Sequence, residues 1–275
     1  MTIGSLFSGI GGLELGLERA GLGPILFQVE NDPFCLSVLA RHWPTVPRFT
    51  DVREVGSELP RVDVLCGGFP CQDVSSAGKG AGLSGERSGL WREFWRLVKA
   101  LAPAWVVVEN VASGARRWLP FVRRDLHMLG YRTRALALSA EDVGAPHLRR
   151  RVFVLAADPH RVSLRDESGW RGGPTGQGPD VPRHDGQEGN VAHPGCEGLE
   201  ERSEQQARAE RQAAERGGVP DDPWAVEPNV GRAAHGVPSR VDRLRALGNA
   251  VVPQCAEAIG RVIVATEIRS TSDGS

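Results

Sequence analysis

Lysine is almost missing from this chain: Lys79 and Lys99 are the only two, and every other basic side chain is arginine, as a GC-rich coding sequence would produce. The five cysteines, Cys35, Cys66, Cys71, Cys196 and Cys255, are odd in number and form no CxxC pair or Cys/His ligand spacing. That argues against a disulfide framework and a zinc site. No apolar run approaches the length of a membrane span, and Met1 leads into a strand-like segment with no signal-peptide pattern, so the expected location is the cytoplasm. There is little net charge, -1 at pH 7, which neither favours nor excludes a polyanionic partner. What remains is the composition of a soluble globular protein, 40% hydrophobic and 24% charged. At 275 residues it has room for one large domain or one domain with an insertion.

The stretch that organises the rest is Gly67-Gly68-Phe69-Pro70-Cys71-Gln72, directly after the apolar strand Val62 to Cys66. Two glycines permit a sharp turn, and Pro70 fixes its own φ and biases Phe69 towards an extended conformation. Cys71 is thereby held at the carboxyl end of a strand, either as an activated nucleophile or as a small core residue. Cys66, inside the run, reads as core. The loop that follows, Ser75 to Gly82, is rich in glycine and serine and is either a mobile lid or a plain flexible loop.

Other segments arrange themselves around that turn. Thr2 to Phe7 reads as a strand, then a glycine loop, Ser8-Gly9-Ile10-Gly11-Gly12, then a helix with Leu13, Leu17 and Ala20 inward and Glu14 and Glu18 outward. Such a loop either cradles a polar ligand or makes a tight turn. Pro24 to Val29 is a second strand ending in Glu30, the position from which a carboxylate commonly grips a ribose. Pro33 to His42 is expected to be helical with Phe34, Val38 and Leu39 inward, and Cys35 to serve packing. Asp51 follows the extended piece Val46 to Phe49 and either faces the same crevice or begins a turn.

A helix through Leu90, Phe94, Leu97 and Leu101 stops at Pro103, and the strand Trp105 to Val108 runs into Glu109-Asn110-Val111. Arg116 to Leu129 reads as a helix, and Arg132 to Leu138 and Arg150 to Ala156 as an antiparallel hairpin at the sheet's edge. Alternation places Arg149 and Arg151 on one face and Arg150 on the other, while His147 reads as a surface residue. Residues 116 to 151 hold nine arginines against three acids, either a phosphate-binding surface or a solvated face. From Asp158 the composition turns polar; residues 158 to 220 carry eight arginines and twelve acids, a poor DNA footprint by itself. Pattern resumes at Trp224, with a short helix Asp242 to Leu247, then Gly248-Asn249-Ala250-Val251, then a last helix to about Thr266.

Alternating strands and helices predict a doubly wound, mostly parallel α/β sheet with an antiparallel edge strand, whose ligands bind at the carboxyl ends of the strands. The glycine loop, Glu30, Cys71 and Glu109 each fall at that rim. The expected organisation is a catalytic and cofactor-binding domain (1–157), a short polar region (158–240) partly disordered, a helical segment (241–268) returning to the first domain, and a tail (269–275). By itself this describes an enzyme with a nucleotide-like cofactor, a thiol nucleophile and a carboxylate partner.

In order, these segments resemble the cytosine-5 DNA methyltransferases. Phe7-Ser8-Gly9-Ile10-Gly11-Gly12 is similar to the first S-adenosylmethionine motif of that family, Glu30 to the acid of its second and Asp51 to the aspartate of its third. Pro70-Cys71-Gln72 resembles its nucleophile loop, Glu109-Asn110-Val111 its cytosine-binding motif, Arg149 and Arg151 its Gln-x-Arg-x-Arg pattern, and Gly248-Asn249-Ala250-Val251 its last motif. The resemblance implies a Rossmann-like fold with a small target-recognition insertion at 158–240. It implies catalytic Cys71, Glu109, Arg149 and Arg151, with cofactor contacts from Phe7, Gly9, Gly11, Gly12, Glu30, Asp51, Pro70 and Asn249. Substrate contacts fall to Gln72, Ser75, Arg87 and Asn110, and no metal is implied. The implied activity is transfer of a methyl group from S-adenosylmethionine to carbon 5 of a cytosine flipped out of double-stranded DNA by a monomer, with a restriction endonuclease as companion. A tRNA cytosine-5 methyltransferase and a non-catalytic cofactor-binding regulator are the alternatives.

Overall fold

The computed structural model describes residues 1–70, 89–162 and 238–271, with side chains as far as Glu267. All but Pro238 belong to one of two compact units, residues 1–182 with 239–275; the other, 183–238, otherwise lies outside the described residues. So do Cys71, Gln72, Ser75 and Arg87, the loop from Ser75 to Gly82 and nearly all of the polar region.

Seven strands are described: β1 (Ile3–Leu6), β2 (Ile25–Val29), β3 (Arg48–Phe49), β4 (Val64–Gly68), β5 (Trp105–Val111), β6 (Arg132–Leu138) and β7 (Arg151–Ala157). They form one sheet in the order β3-β2-β1-β4-β5-β7-β6. The central strands β1, β4 and β5 are buried along almost their whole length, as strands covered on both faces must be, and their residues are mostly apolar or small, with the run Trp105 to Val108 apolar throughout. The helices are α1 (Gly12–Arg19), α2 (Pro33–His42), α3 (Gly89–Leu101), α4 (Ala115–Met128), α5 (Arg240–Asn249) and α6 (Pro253–Thr271). On one face Phe94 and Leu97 of α3 and Trp118 and Val122 of α4 join Leu65, Val106 and Val108 in one core. On the other, Leu13 and Leu17 of α1 and Ala256, Ile259 and Ile263 of α6 join Ile3, Val64, Cys66 and Val107. The expected doubly wound α/β sheet is therefore present.

β7 runs antiparallel to both β5 and β6. It is the reversed member of the expected hairpin and lies one place in, with β6 outermost. A short connection between β6 and β7 requires this reversal, because parallel neighbours need a long crossover.

Three local expectations are corrected. Glu14 does not face outward: it is fully buried, because the arc holding Leu13 and Leu17 is wide enough to include it and Ser5 offers it a hydrogen bond. In α2 the inward residues are Cys35 and Leu39, with Phe34 and Val38 half-buried. Gly67 and Gly68 end β4 and do not form the turn itself. Their lack of a side chain makes room: a Cβ on Gly67 would sit 2.3 Å from the Leu6 carbonyl oxygen, and one on Gly68 2.5 Å from Glu109 Oε2.

The backing of the rim is a close approach of α1 and α6. A Cβ on Gly16 would lie 2.2 Å from the Pro253 carbonyl oxygen and 2.4 Å from Ala256 Cβ, and one on Gly260 2.5 Å from Ala20 Cβ. Glycine on both helices lets them touch backbone to backbone. Further along, the Trp105 indole donates to Glu267 Oε1 at 2.7 Å, joining α6 to the middle of the sheet.

Candidate active site

Parallel register brings the strand ends together. Leu6 pairs with both Val29 and Gly67, and Gly68 pairs with Glu109, so the ends of β1, β2 and β4 and the body of β5 meet at one rim. Of the four rim features expected from the sequence, the glycine loop, Glu30 and Glu109 are there; Cys71, three residues beyond Gly68, lies outside the described residues.

After β1 the chain turns through Phe7 at φ 54°, a left-handed backbone that costs a bulky side chain free energy and is usually retained where the geometry serves a purpose. Its ring stacks against Phe94 with centroids 6.4 Å apart. Gly9 and Gly11 are also left-handed, and a Cβ at Gly9 would meet nothing within 4 Å, so this backbone stands open. Glu30 holds the loop: its Oε2 accepts the Gly9 amide at 2.7 Å and its Oε1 accepts the Asp32 amide at 2.8 Å. Asp32 in turn caps α2 by accepting from the Phe34 and Cys35 amides, which with Arg245 nearby keeps its carboxyl below the usual carboxylate range. Asp51, past β3, accepts the Arg53 amide at 2.9 Å, so it does begin a turn.

Glu109 is buried beside Gly68 with Arg151 Nε 2.8 Å from its Oε1. Arg151 reaches it as a diagonal cross-strand neighbour, since Glu109 pairs with Phe153 two residues along. The approach is close but poorly angled for a directed hydrogen bond, so Oε1 keeps room for another donor. Burial raises its carboxyl more than Arg151 and Arg149 lower it, and the proton affinity is pushed up to about 7. The result is a carboxyl that carries a proton through part of the neutral range.

Arg149 has another task. Its Nη2 donates to the carbonyls of Gly248 and Ala250, both at 2.6 Å, and its Nε to Ala250 at 3.1 Å. Arg245 of α5 pairs with Asp32 at the start of α2. Asn249 is thus held between two anchored neighbours and lines a cleft with the glycine loop, Gly68 and Glu109. Asn110 is buried and bonded to backbone: its amide nitrogen donates to the Phe69 carbonyl at 3.0 Å and its Oδ1 accepts the Val111 amide at 2.8 Å. It fixes the residue two places before Cys71. Pro70 is exposed, as is His147.

Cys35, Cys66 and Cys255 are all buried free thiols. Burial pushes Cys35 up to about 12, and also raises Cys66 and Cys255, so none of the three is a thiolate near neutral pH. Cys66 is the core residue its position suggested. Among the described residues no group of His, Cys, Asp and Glu is placed to hold a metal, and no helix is long and apolar enough to cross a membrane.

A glycine loop after β1, an acid after β2 and a buried carboxyl on β5, on a sheet of this strand order, define a Rossmann-like methyltransferase fold. Residues 1–169 match the C-5 cytosine-specific DNA methylase family, and the chain belongs to it. It is 38% identical over 173 residues to the type II methyltransferase M2.BsuMI of Bacillus subtilis, covering 59% of this chain and 44% of that protein. To M.HhaI of Haemophilus parahaemolyticus it is 32% identical over 155 residues, 54% of this chain and 47% of that one. The matched part is therefore about half the length of these relatives. Among solved structures, a prophage-encoded Escherichia coli protein described as a DNA modification methyltransferase is similar over 61% of this chain and 49% of its own, at 28% identity and a TM-score of 0.50.

Proposed function

We propose that this protein is a DNA (cytosine-5-)-methyltransferase that uses S-adenosylmethionine and a covalent Cys71 adduct. The observation that carries the reading is Glu109: a buried carboxyl with a proton affinity of about 7, braced by Arg151, on the strand beside the one that leads to Cys71. Carbon 5 of cytosine is a poor nucleophile until a thiolate has added to carbon 6. That addition needs a proton, or a strong hydrogen bond, at ring nitrogen 3. Glu109 supplies it, and can also hold the exocyclic amine. Arg151 keeps the Glu109 carboxyl in place and limits how far its proton affinity climbs. The role of Asn110 is to hold the backbone carbonyl of Phe69, two residues before Cys71 in the sequence. The reaction requires the base outside the stack, and the family resemblance assigns contacts with it to Gln72, Ser75 and Arg87.

The residues at the rim fit the methyl donor. Open backbone at Gly9, Glu30 at the end of β2, Asp51 beyond β3 and the stacked ring of Phe7 match the adenosine half, with Gly11, Gly12 and Asn249 along the methionine half. S-adenosylmethionine, when bound, supplies an electrophilic methyl group for carbon 5. DNA is the partner, and a cognate restriction endonuclease is the expected companion.

The test is transfer of labelled methyl groups to unmethylated duplex DNA and to tRNA, with modified cytosines mapped at base resolution. Label at carbon 5 within a fixed duplex sequence is expected, and Cys71→Ser should abolish it while leaving S-adenosylmethionine binding intact. Label in tRNA alone, binding with no transfer, or normal methylation by Cys71→Ser would overturn the proposal.

A further inference from the structure

Among the described residues, Glu14 is the one buried acid that the chemistry above does not use. It is fully inaccessible within α1, yet it lines the same cleft as the glycine loop, Gly68, Asn249 and Val251. Its Oε1 accepts the Ser5 hydroxyl at 2.6 Å, and Ser5 shares a second hydrogen bond with Ser8 at 2.9 Å. Its Oε2 has no partner. An unmatched carboxylate oxygen in the interior is costly, and native structures seldom leave one without a reason. Glu30 offers a contrast on the same rim, since both of its oxygens already accept backbone amides.

The electrostatics choose the sign of the missing partner. The charged neighbour felt at Glu14 is Glu30, another carboxylate, and Ser5 and Ser8 offer it only neutral hydroxyls. A second carboxylate close enough to raise Glu14, with only neutral hydroxyls beside it, favours a cation with hydrogens to give. Burial, with a smaller push from Glu30, raises the Glu14 carboxyl above its ordinary range.

We propose that Glu14 Oε2 accepts the α-ammonium of the methionine moiety of S-adenosylmethionine, making the floor of the cleft beneath the glycine loop an ammonium subsite. This rests on the cofactor reading above and assigns Glu14 a binding role in it. Oε1 is fixed by Ser5, and Ser5 by Ser8 in the loop, so the acceptor is oriented before the ligand arrives. Asn249 and Val251, across the cleft, place the last loop of the site against the same moiety.

The experiment is isothermal titration calorimetry on the full chain, wild type and Glu14→Gln. The ligands are S-adenosylmethionine, S-adenosylhomocysteine and the analogue of the latter in which hydrogen replaces the ammonium. The wild type is expected to bind the two ammonium-bearing ligands about tenfold or more tighter than the desamino analogue, the usual scale of a charged hydrogen bond. Glu14→Gln should lose that advantage while binding the desamino analogue as the wild type does. If Glu14→Gln weakens all three equally, Glu14 is only structural and the assignment is wrong. Equal wild-type affinity with and without the ammonium overturns it too, and that comparison needs no variant should Glu14→Gln fail to fold. Wild type binding none of the three would refute the cofactor reading itself, and this assignment with it.

Discussion

Replacing Glu109 by glutamine should change how the stability of the protein depends on pH. In the folded chain the Glu109 carboxyl is pushed from 4.5 up to about 7. Between those values the folded state holds a proton that the unfolded chain has released, so stability falls as pH rises through the window. With one pKa unit worth 1.36 kcal/mol, the 2.5-unit interval corresponds to about 3 kcal/mol. Glutamine has no such proton. Glu109→Gln should therefore gain about 3 kcal/mol on the wild type between pH 4.5 and pH 8, whatever constant offset comes from leaving Arg151 without its counter-charge. Glu14, raised in the same direction, contributes the same slope to both proteins and cancels in the difference. Urea unfolding at half-unit pH steps measures this directly. Curves that run parallel for the two proteins would show that Glu109 is not held above the ordinary carboxylate range.

Two further substitutions test the frame of the site. Gly16→Ala should destabilise the protein by about 2 kcal/mol or more, because the new methyl group meets the Pro253 carbonyl and Ala256 where neither backbone can retreat, and an unchanged urea midpoint would show the close approach to be wrong. Arg149→Met removes the donors to the Gly248 and Ala250 carbonyls and should cost about 1–2 kcal/mol in the same assay, with weaker S-adenosylmethionine binding as the Asn249 loop loosens. Retained stability and binding would instead leave Arg149 free to contact DNA.

The sheet was readable because its central strands are covered on both faces and carry short apolar stretches such as Val64 to Cys66 and Trp105 to Val108. The rim was readable for a related reason: Glu30 and Glu109 are acids that directly follow mostly apolar runs, Glu30 at the end of β2 and Glu109 after Trp105 to Val108. What local pattern could not reveal was the contacts that span the chain. Arg149 binds carbonyls about a hundred positions away, and nothing near it announces this. The bond from Asn110 to the Phe69 carbonyl, just past β4, is likewise invisible to side-chain pattern. Glu14 carries a charge but sits at the margin of the buried face formed by Leu13, Gly16 and Leu17, where a hydrogen bond to Ser5 decides that it turns inward. The roles of Gly67 and Gly68 likewise depend on what adjoining strands place beside them.

The contact of α1 with α6 also orders events in time. On the ribosome, β1 and α1 are made well before α6, and the groove bordered by Gly12 and Gly16 must wait for Val251, Pro253 and Ala256 to be synthesised. Until then the glycine loop has no floor on that side. A nascent chain can assemble its sheet early, but its capacity to hold a ligand at the rim matures only with the arrival of the final helix.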